Sequence, residues 1–384
     1  MGNNLKNFLF VLFILLLTNC TGKTTTVPPS DAKKAESELL ADNANKTESE
    51  QIADPLILGG KPYVDFDGKA YRRDEAELFT SLVCDLRSDA VVRLYSLEGL
   101  EQLVNLKDIS IYGENLDTVD FTPLSSLYNL EELFIRGNIT RLPDLTELKK
   151  LSSIGITYSR LESLEGIGAP NVKWINIENR GVEINSLAPL NNLPHLEYLT
   201  INGRGSTTLR IADMSNLPSI RNLRFLMPST QIDLQGIEKL SAIEELLFSE
   251  SNPFNIEGIG KLKNLRDLGL KLLSPEPSLE FLRNMPNLFD LGIEANIEGF
   301  DSSHNRRFEP YQVLDVSPLA SLKNLRRLSC TRFIIKNISA LDVLDALSIQ
   351  DDESLGIIYL YGSRLYNKTD KSKHTLVLEW PVRE

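Results

Sequence analysis

The sequence predicts a solenoid of short stacked repeats, each contributing one short strand and one segment of extended or 3₁₀ backbone. Three observations carry this. First, residues 186–201, SLAPLNNLPHLEYLTI, place leucine at 187, 190, 193, 196 and 199 and isoleucine at 201. Helices repeat their buried face at about 3.6 residues and strands at 2.0, so neither explains the whole run. Strict threes suit a 3₁₀-like turn, in which positions i and i+3 eclipse, whereas LEYLTI alternates as a strand does. Second, the strand half recurs: LKDISI at 106, LEELFI at 130, LSSIGI at 151, VKWINI at 172, LEYLTI at 196, IRNLRF at 220, IEELLF at 243, LRDLGL at 265, LFDLGI at 288, LRRLSC at 325 and LDALSI at 344. Third, the period-three ladder precedes most copies, as in Leu142/Leu145/Leu148, Leu234/Ile237/Leu240 and Val316/Leu319/Leu322. One such unit buries a thin edge, and only stacking closes a core.

The N-terminal elements read differently. Residues 1–19 combine Lys6 with an unbroken apolar run over 8–17, too short to span a bilayer and suited to a secretory signal peptide. Its ending, LLTNC, resembles a bacterial lipobox, with Asn19 where that motif usually carries Gly, Ala or Ser. The resemblance implies lipidation of Cys20 and a membrane anchor. An N-myristoyl site does not fit, because Lys6 stands where Ser or Thr is wanted. Residues 20–55 are rich in Thr, Ser, Glu, Lys and Ala and bury too little surface to offset chain entropy, so a disordered tether is expected. Residues 56–90 are expected to cap the array, with a hairpin around Asp67-Gly68 and helical spacing at Leu78, Leu82 and Leu86.

The repeats then occupy 91–350. The hexamer intervals are 24, 21, 21, 24, 24, 23, 22, 23, 37 and 19, and all but the last two fall within the 20–29 residues of leucine-rich repeats. With about eleven copies, the chain resembles a leucine-rich repeat protein of the short-repeat type, similar to bacterial internalins. That resemblance implies the α/β class: a right-handed horseshoe with one parallel strand per repeat on its concave side and 3₁₀ or extended segments on its convex side. One departure stands out, since the ninth-position Asn occurs only at Asn138 and Asn296, with Ser159 and Pro228 in other copies. The long interval holds an insertion near 299–313, as suited to binding as to a tolerated surface excursion. Residues 351–384 read as a C-terminal cap hairpin, with strands at 356–361 and 374–380.

Composition and motifs narrow the function. Lys and Arg number 41 against 53 Asp and Glu, a net charge of −12 without a basic block, which argues against nucleic acid as a partner. His195, His304 and His374 lack metal-ligand spacing, and no nucleophile, phosphate-loop or metalloprotease motif occurs, so neither an enzyme, a metal nor a cofactor is expected. Cys84 and Cys330 would lie roughly 45 Å apart in a stack of strands about 4.8 Å apart, so they cannot pair.

What remains is surface. Strand residues at hexamer positions 3, 5 and 7 project from the concave face, and the first seven rungs place Tyr112, Phe134, Trp174, Tyr198, Leu226 and Leu247 there, beside Arg136, Arg224, Asn176, Glu178 and Asn202. Aromatic residues and Arg are enriched at interface centres. The expectation is therefore an exported binding protein whose concave face takes a protein ligand. A glycan stacked on Trp174 and Tyr198, with Asn176, Asn202 and Glu178 bonding its hydroxyls, is one alternative; a structural envelope component is another. Thr21 lacks the Asp that marks inner-membrane retention in many Gram-negative lipoproteins, a resemblance that implies the outer membrane.

Overall fold

A computed structural model describes residues 53–384 except 66–67, 88–95, 205–207, 215, 275, 296–311 and most of 345–384, where 357–359, 364–365, 372 and 375–377 are described. The signal segment, Cys20, nearly all of the tether, most of the insertion and the hexamer beyond Leu344 thus lie outside the described residues. Residues 54–384 form one compact unit.

Among the described residues thirteen strands make a single parallel sheet, ordered in space as in the chain. We label them β1 (Ser81–Asp85), β2 (Asp108–Tyr112), β3 (Glu132–Arg136), β4 (Ser153–Ser159), β5 (Trp174–Glu183), β6 (Tyr198–Arg204) and β7 (Asn222–Leu226). They continue as β8 (Glu245–Ser249), β9 (Asp267–Leu272), β10 (Asp290–Ala295), β11 (Arg327–Thr331), β12 (Ile357–Tyr359) and β13 (Thr375–Val377). Among the described residues every helical turn is 3₁₀, and two smaller parallel sheets run along the return side, one from 209–210, 231–233 and 252–254, the other from 313–315, 334–336 and 364–365. This is the α/β leucine-rich repeat architecture.

The ladder of threes has a direct backbone cause. The N–H of Leu100 donates to Leu97 O, that of Leu103 to Leu100 O and that of Leu106 to Leu103 O, at 3.2, 2.9 and 3.0 Å. The same i→i−3 bonds link Leu234, Ile237, Leu240 and Ile243 (3.0, 3.0 and 3.2 Å) and Val316, Leu319, Leu322 and Leu325 (3.0, 3.0 and 3.0 Å). Each 3₁₀ step puts the next apolar side chain under the last, and these leucines are sealed from solvent in one continuous core running from Leu56 to Leu344. Burying each contributes roughly 1.5–3 kcal/mol.

Two sequence expectations need correction. Residues 72–86 do not form one helix: Arg73–Leu78 is a 3₁₀ turn, and Ser81–Asp85 is the first strand of the large sheet, Ser81 facing Asp108. Leu82 and Cys84 point inward with Ser81 and Val83 outward, a period of two, and Leu78, at 68 % exposure, has no buried helical face to join. Cys84 therefore sits in a rung, ten strands from Cys330. Both are buried, and burial pushes both thiols up, Cys330 to about 12. At the other end, 357–359 and 375–377 do not form a hairpin but pair in parallel, Ile357 facing Thr375. Residues 364–365 between them stack on the return-side sheet, so this segment adds rungs. Among the described residues the strand beside β11 is 357–359.

Rung-to-rung polar bonds occur at two levels. Where the ninth-position Asn is present, Asn138 Oδ1 accepts the Leu116 N–H at 2.8 Å. Where it is missing, other groups serve. Ser159 Oγ donates to Glu178 O at 3.0 Å, and Ser251 Oγ accepts the Met227 N–H at 3.1 Å. Asn179, buried, accepts the Leu161 N–H at 2.6 Å and donates to Leu161 O at 3.0 Å. The second level is an amide just before the hexamer, at Asn105, Asn129, Asn171, Asn264, Asn287 and Asn324. Each Nδ2 donates to a carbonyl of the preceding turn at 2.6–3.0 Å, from Asn324 to Pro286 O (2.6 Å) up to Asn105 to Glu77 O (3.0 Å).

Candidate functional site: the exposed face of the large sheet

Parallel register stacks equivalent positions into columns on the face that looks away from the core. One column runs Asp108, Glu132, Ser153, Trp174, Tyr198, Asn222, Glu245, Asp267, Asp290, Arg327. Trp174 and Tyr198 are direct partners on β5 and β6, so their Cα atoms are separated by one strand spacing, about 4.8 Å. Trp174 is half-buried and Tyr198 is 37 % exposed. Asn176 on β5 is half-buried and Asn202 on β6 is exposed beside them.

Phe134, expected on the surface, is buried, at 7 % exposure. The cause is a glycine on the adjacent strand. Gly155 leaves room for the Phe134 ring to lie over it, since a Cβ there would come within 2.9 Å of that ring and 3.6 Å of the Trp174 indole. Tyr112 covers the other side, ring centroids 5.9 Å apart. Tyr112, Phe134 and Trp174 thus form one row across β2–β5, with Phe134 as its support and not a contact residue.

Two of the expected charged anchors are already engaged. Arg224 pairs through Nε with Glu245 Oε1, whose other oxygen accepts from Asn222 Nδ2 at 2.7 Å. Glu178 takes Arg180 at 2.6 Å. Arg136 is used differently, its guanidinium lying 4.3 Å from the Tyr158 ring centroid, while Arg180 lies 3.7 Å from the same ring. Tyr158 adopts φ +58°, a left-handed conformation that a bulky residue rarely takes, and the β4–β5 register shifts between Ile156 and Ser159. This Arg–Tyr–Arg cluster at the end of the aromatic row carries no sequence signature, because a left-handed tyrosine cannot be read from residue type.

Further along the face, Glu245, Asp267 and Asp290 succeed one another on β8, β9 and β10, above Gly269 and Gly292. Burial, then the charge of Glu245, pushes the Asp267 carboxyl above its ordinary value. Burial raises Asp290 as well, against the pull of Arg327 at 2.9 Å. No group of three or more His, Cys, Asp or Glu side chains among the described residues is arranged to hold a metal ion. The face is therefore an aromatic and arginine-bearing half followed by a small-residue, carboxylate-lined half.

No protein-family model and no curated protein matches the chain. Among solved structures, an internalin from Listeria monocytogenes aligns at TM-score 0.41 and 19 % identity, covering 73 % of this chain and 88 % of its own. Internalin C2 from the same species aligns at TM-score 0.41 and 19 % identity, over 61 % and 88 %. A leucine-rich repeat protein of Leptospira interrogans aligns at TM-score 0.41 and 15 % identity, over 82 % and 91 %. By its own hexamers, 3₁₀ ladders and parallel rungs, the chain folds as a leucine-rich repeat solenoid of the short-repeat type.

Proposed function

We propose that this protein is an exported, lipid-anchored component of a bacterial cell envelope that binds a protein partner, without catalysis, on the exposed face of β2–β6. The observation that carries the reading is the register pair Trp174–Tyr198, two large aromatic side chains left partly open on neighbouring strands. Tyr112, Arg136, Asn176 and Asn202 flank it, and Phe134 and Gly155 hold the row rigid. A preorganised aromatic surface loses little side-chain freedom on binding, which is where interface energy concentrates. The anchor at Cys20 and the outer-membrane location rest on the sequence of residues 1–21.

Photocrosslinking from position 174 in intact cells tests partner and location together. A captured protein should lose affinity for Trp174→Ala/Tyr198→Ala by at least about 30-fold, or roughly 2 kcal/mol, with an unchanged thermal melt. Equal affinity of the double variant removes this face from consideration. Mass spectrometry of the mature N-terminus should find acyl chains on Cys20, and an unmodified terminus refutes the anchor.

A further inference from the structure

At the edge where the chain turns into the large sheet, Arg266, Phe289 and Arg326 stand at one level on three successive rungs. Phe289 N donates to Arg266 O at 2.8 Å, and Arg326 N donates to Phe289 O at 2.9 Å. The Phe289 ring is half-exposed, with the Arg266 and Arg326 guanidinium groups 6.0 and 5.4 Å from its centroid. Together with Asn264, Asn287, Asn324 and the carboxylate of Glu244 they line a hollow of about 420 Å³, within the roughly 300–1,000 Å³ of small-molecule sites.

Charge makes this hollow unusual. In a chain of net charge −12, its two arginines have no carboxylate within ion-pair distance among the described residues. The nearby acids are taken: Glu244 by Arg221 at 2.6 Å and Asp290 by Arg327 at 2.9 Å. The three amides are held by their Nδ2 bonds to the preceding turn, at 3.0, 2.8 and 2.6 Å, so each side chain is fixed in place. Their Oδ1 atoms accept no hydrogen bond among the described residues. The hollow thus offers an aromatic platform, two unpaired guanidinium forks and a rim of fixed amide acceptors.

We propose that this hollow binds a carboxylate-bearing sugar unit of an acidic polysaccharide. The guanidinium groups match a carboxylate, the Phe289 face accepts the C–H side of a sugar ring, and the amide oxygens accept hydroxyl hydrogens. An acidic peptide could use the arginines and donate its backbone N–H groups to the amide oxygens, but it presents no saturated ring with a C–H face to Phe289 and no ring of hydroxyl donors at the same distance from its carboxylate. The hollow lies apart from Trp174 and Tyr198, so its occupation does not depend on the partner-binding reading.

Calorimetry on the whole chain with tetragalacturonate as probe tests this, with maltotetraose and octaglutamate as comparators. Tetragalacturonate should bind, and maltotetraose should not. Phe289→Ala and Arg266→Ala/Arg326→Ala should each weaken binding by about tenfold or more, and Trp174→Ala/Tyr198→Ala should leave it unchanged. Arg266→Lys/Arg326→Lys, which keeps charge and fold but loses the fork, should fall between. The proposal is overturned by no tetragalacturonate binding at about 5 mM. Equal binding of maltotetraose, or octaglutamate binding as tightly, overturns it too.

Discussion

Asp267 is the residue whose surroundings work most plainly against its charge. Burial and the neighbouring Glu245 raise its pKa, while Arg266, Arg327 and Arg224 oppose the shift more weakly. A carboxyl whose pKa is higher in the folded chain than in the unfolded one binds its proton more tightly when folded. Stability from this group is therefore lost as pH rises through its folded pKa, and at neutral pH its charge disfavours folding. Asp267→Asn should raise the thermal midpoint near pH 7, and the gain should be smaller near pH 4, because a raised pKa lets the folded carboxyl take up its proton earlier than the unfolded one as pH falls. A gain of the same size at both values would show that packing, not charge, governs the position. Phe134 teaches the matching lesson for apolar groups. Its column position reads as exposed, and the absent side chain at Gly155, one strand away, is what lets the ring fold down. Exposure of a face residue depends on its neighbours across the sheet, which a pattern along the chain does not contain.

At the scale of the element, the repeats are legible because two periods alternate at the same place in every copy, and the backbone honours both: threes as i→i−3 bonds, twos as strand. The ends are less so. A strand, a polar stretch and a second strand describe a hairpin and two successive rungs equally well. Residues 364–365 decide for rungs by joining the return-side sheet, a pairing of two residues that leaves no periodic trace. Residues 72–86 show leucines at helical spacing, yet the strand wins over 81–85 because β2 offers it a full set of backbone partners. The ninth-position ladder is legible only where Asn occupies its slot. Asn179, displaced by the β4–β5 register shift, does the same task with both ends of its amide. Asn179→Ala would leave the buried Leu161 N–H and C=O without these partners, so it should cost about 1–3 kcal/mol, read as a lower urea midpoint at unchanged slope. Asn287→Ala, in the exposed second ladder, should cost less. A larger loss at 287 than at 179 would mean that the outer amides, not the buried one, clamp the rungs.

For the molecule as a whole, each rung touches chiefly the rungs beside it, so stability is close to a sum of rung and interface terms. The middle of the stack departs from uniformity in one respect. Position 6 of the hexamer is Ile in β2 to β6, at Ile111, Ile135, Ile156, Ile177 and Ile201, and becomes Phe at Phe225 and Phe248 on β7 and β8. The two rings are buried and stacked, centroids 5.8 Å apart and planes within 6°. They join the aromatic-bearing half of the exposed face to its acidic half through the core. Removing one ring should cost about 3–5 kcal/mol, concentrated at a single interface and not spread over thirteen strands. Phe225→Ala should therefore uncouple the halves: hydrogen exchange across a urea series should show β8–β11 losing protection at a different urea concentration from β2–β6, where the native chain loses both together. Phe225→Ile, which restores the residue used in the earlier rungs, should recover most of the coupling. If every rung of Phe225→Ala still opens at one common concentration, the array folds as a single cooperative block and the nearest-neighbour description is wrong for this chain.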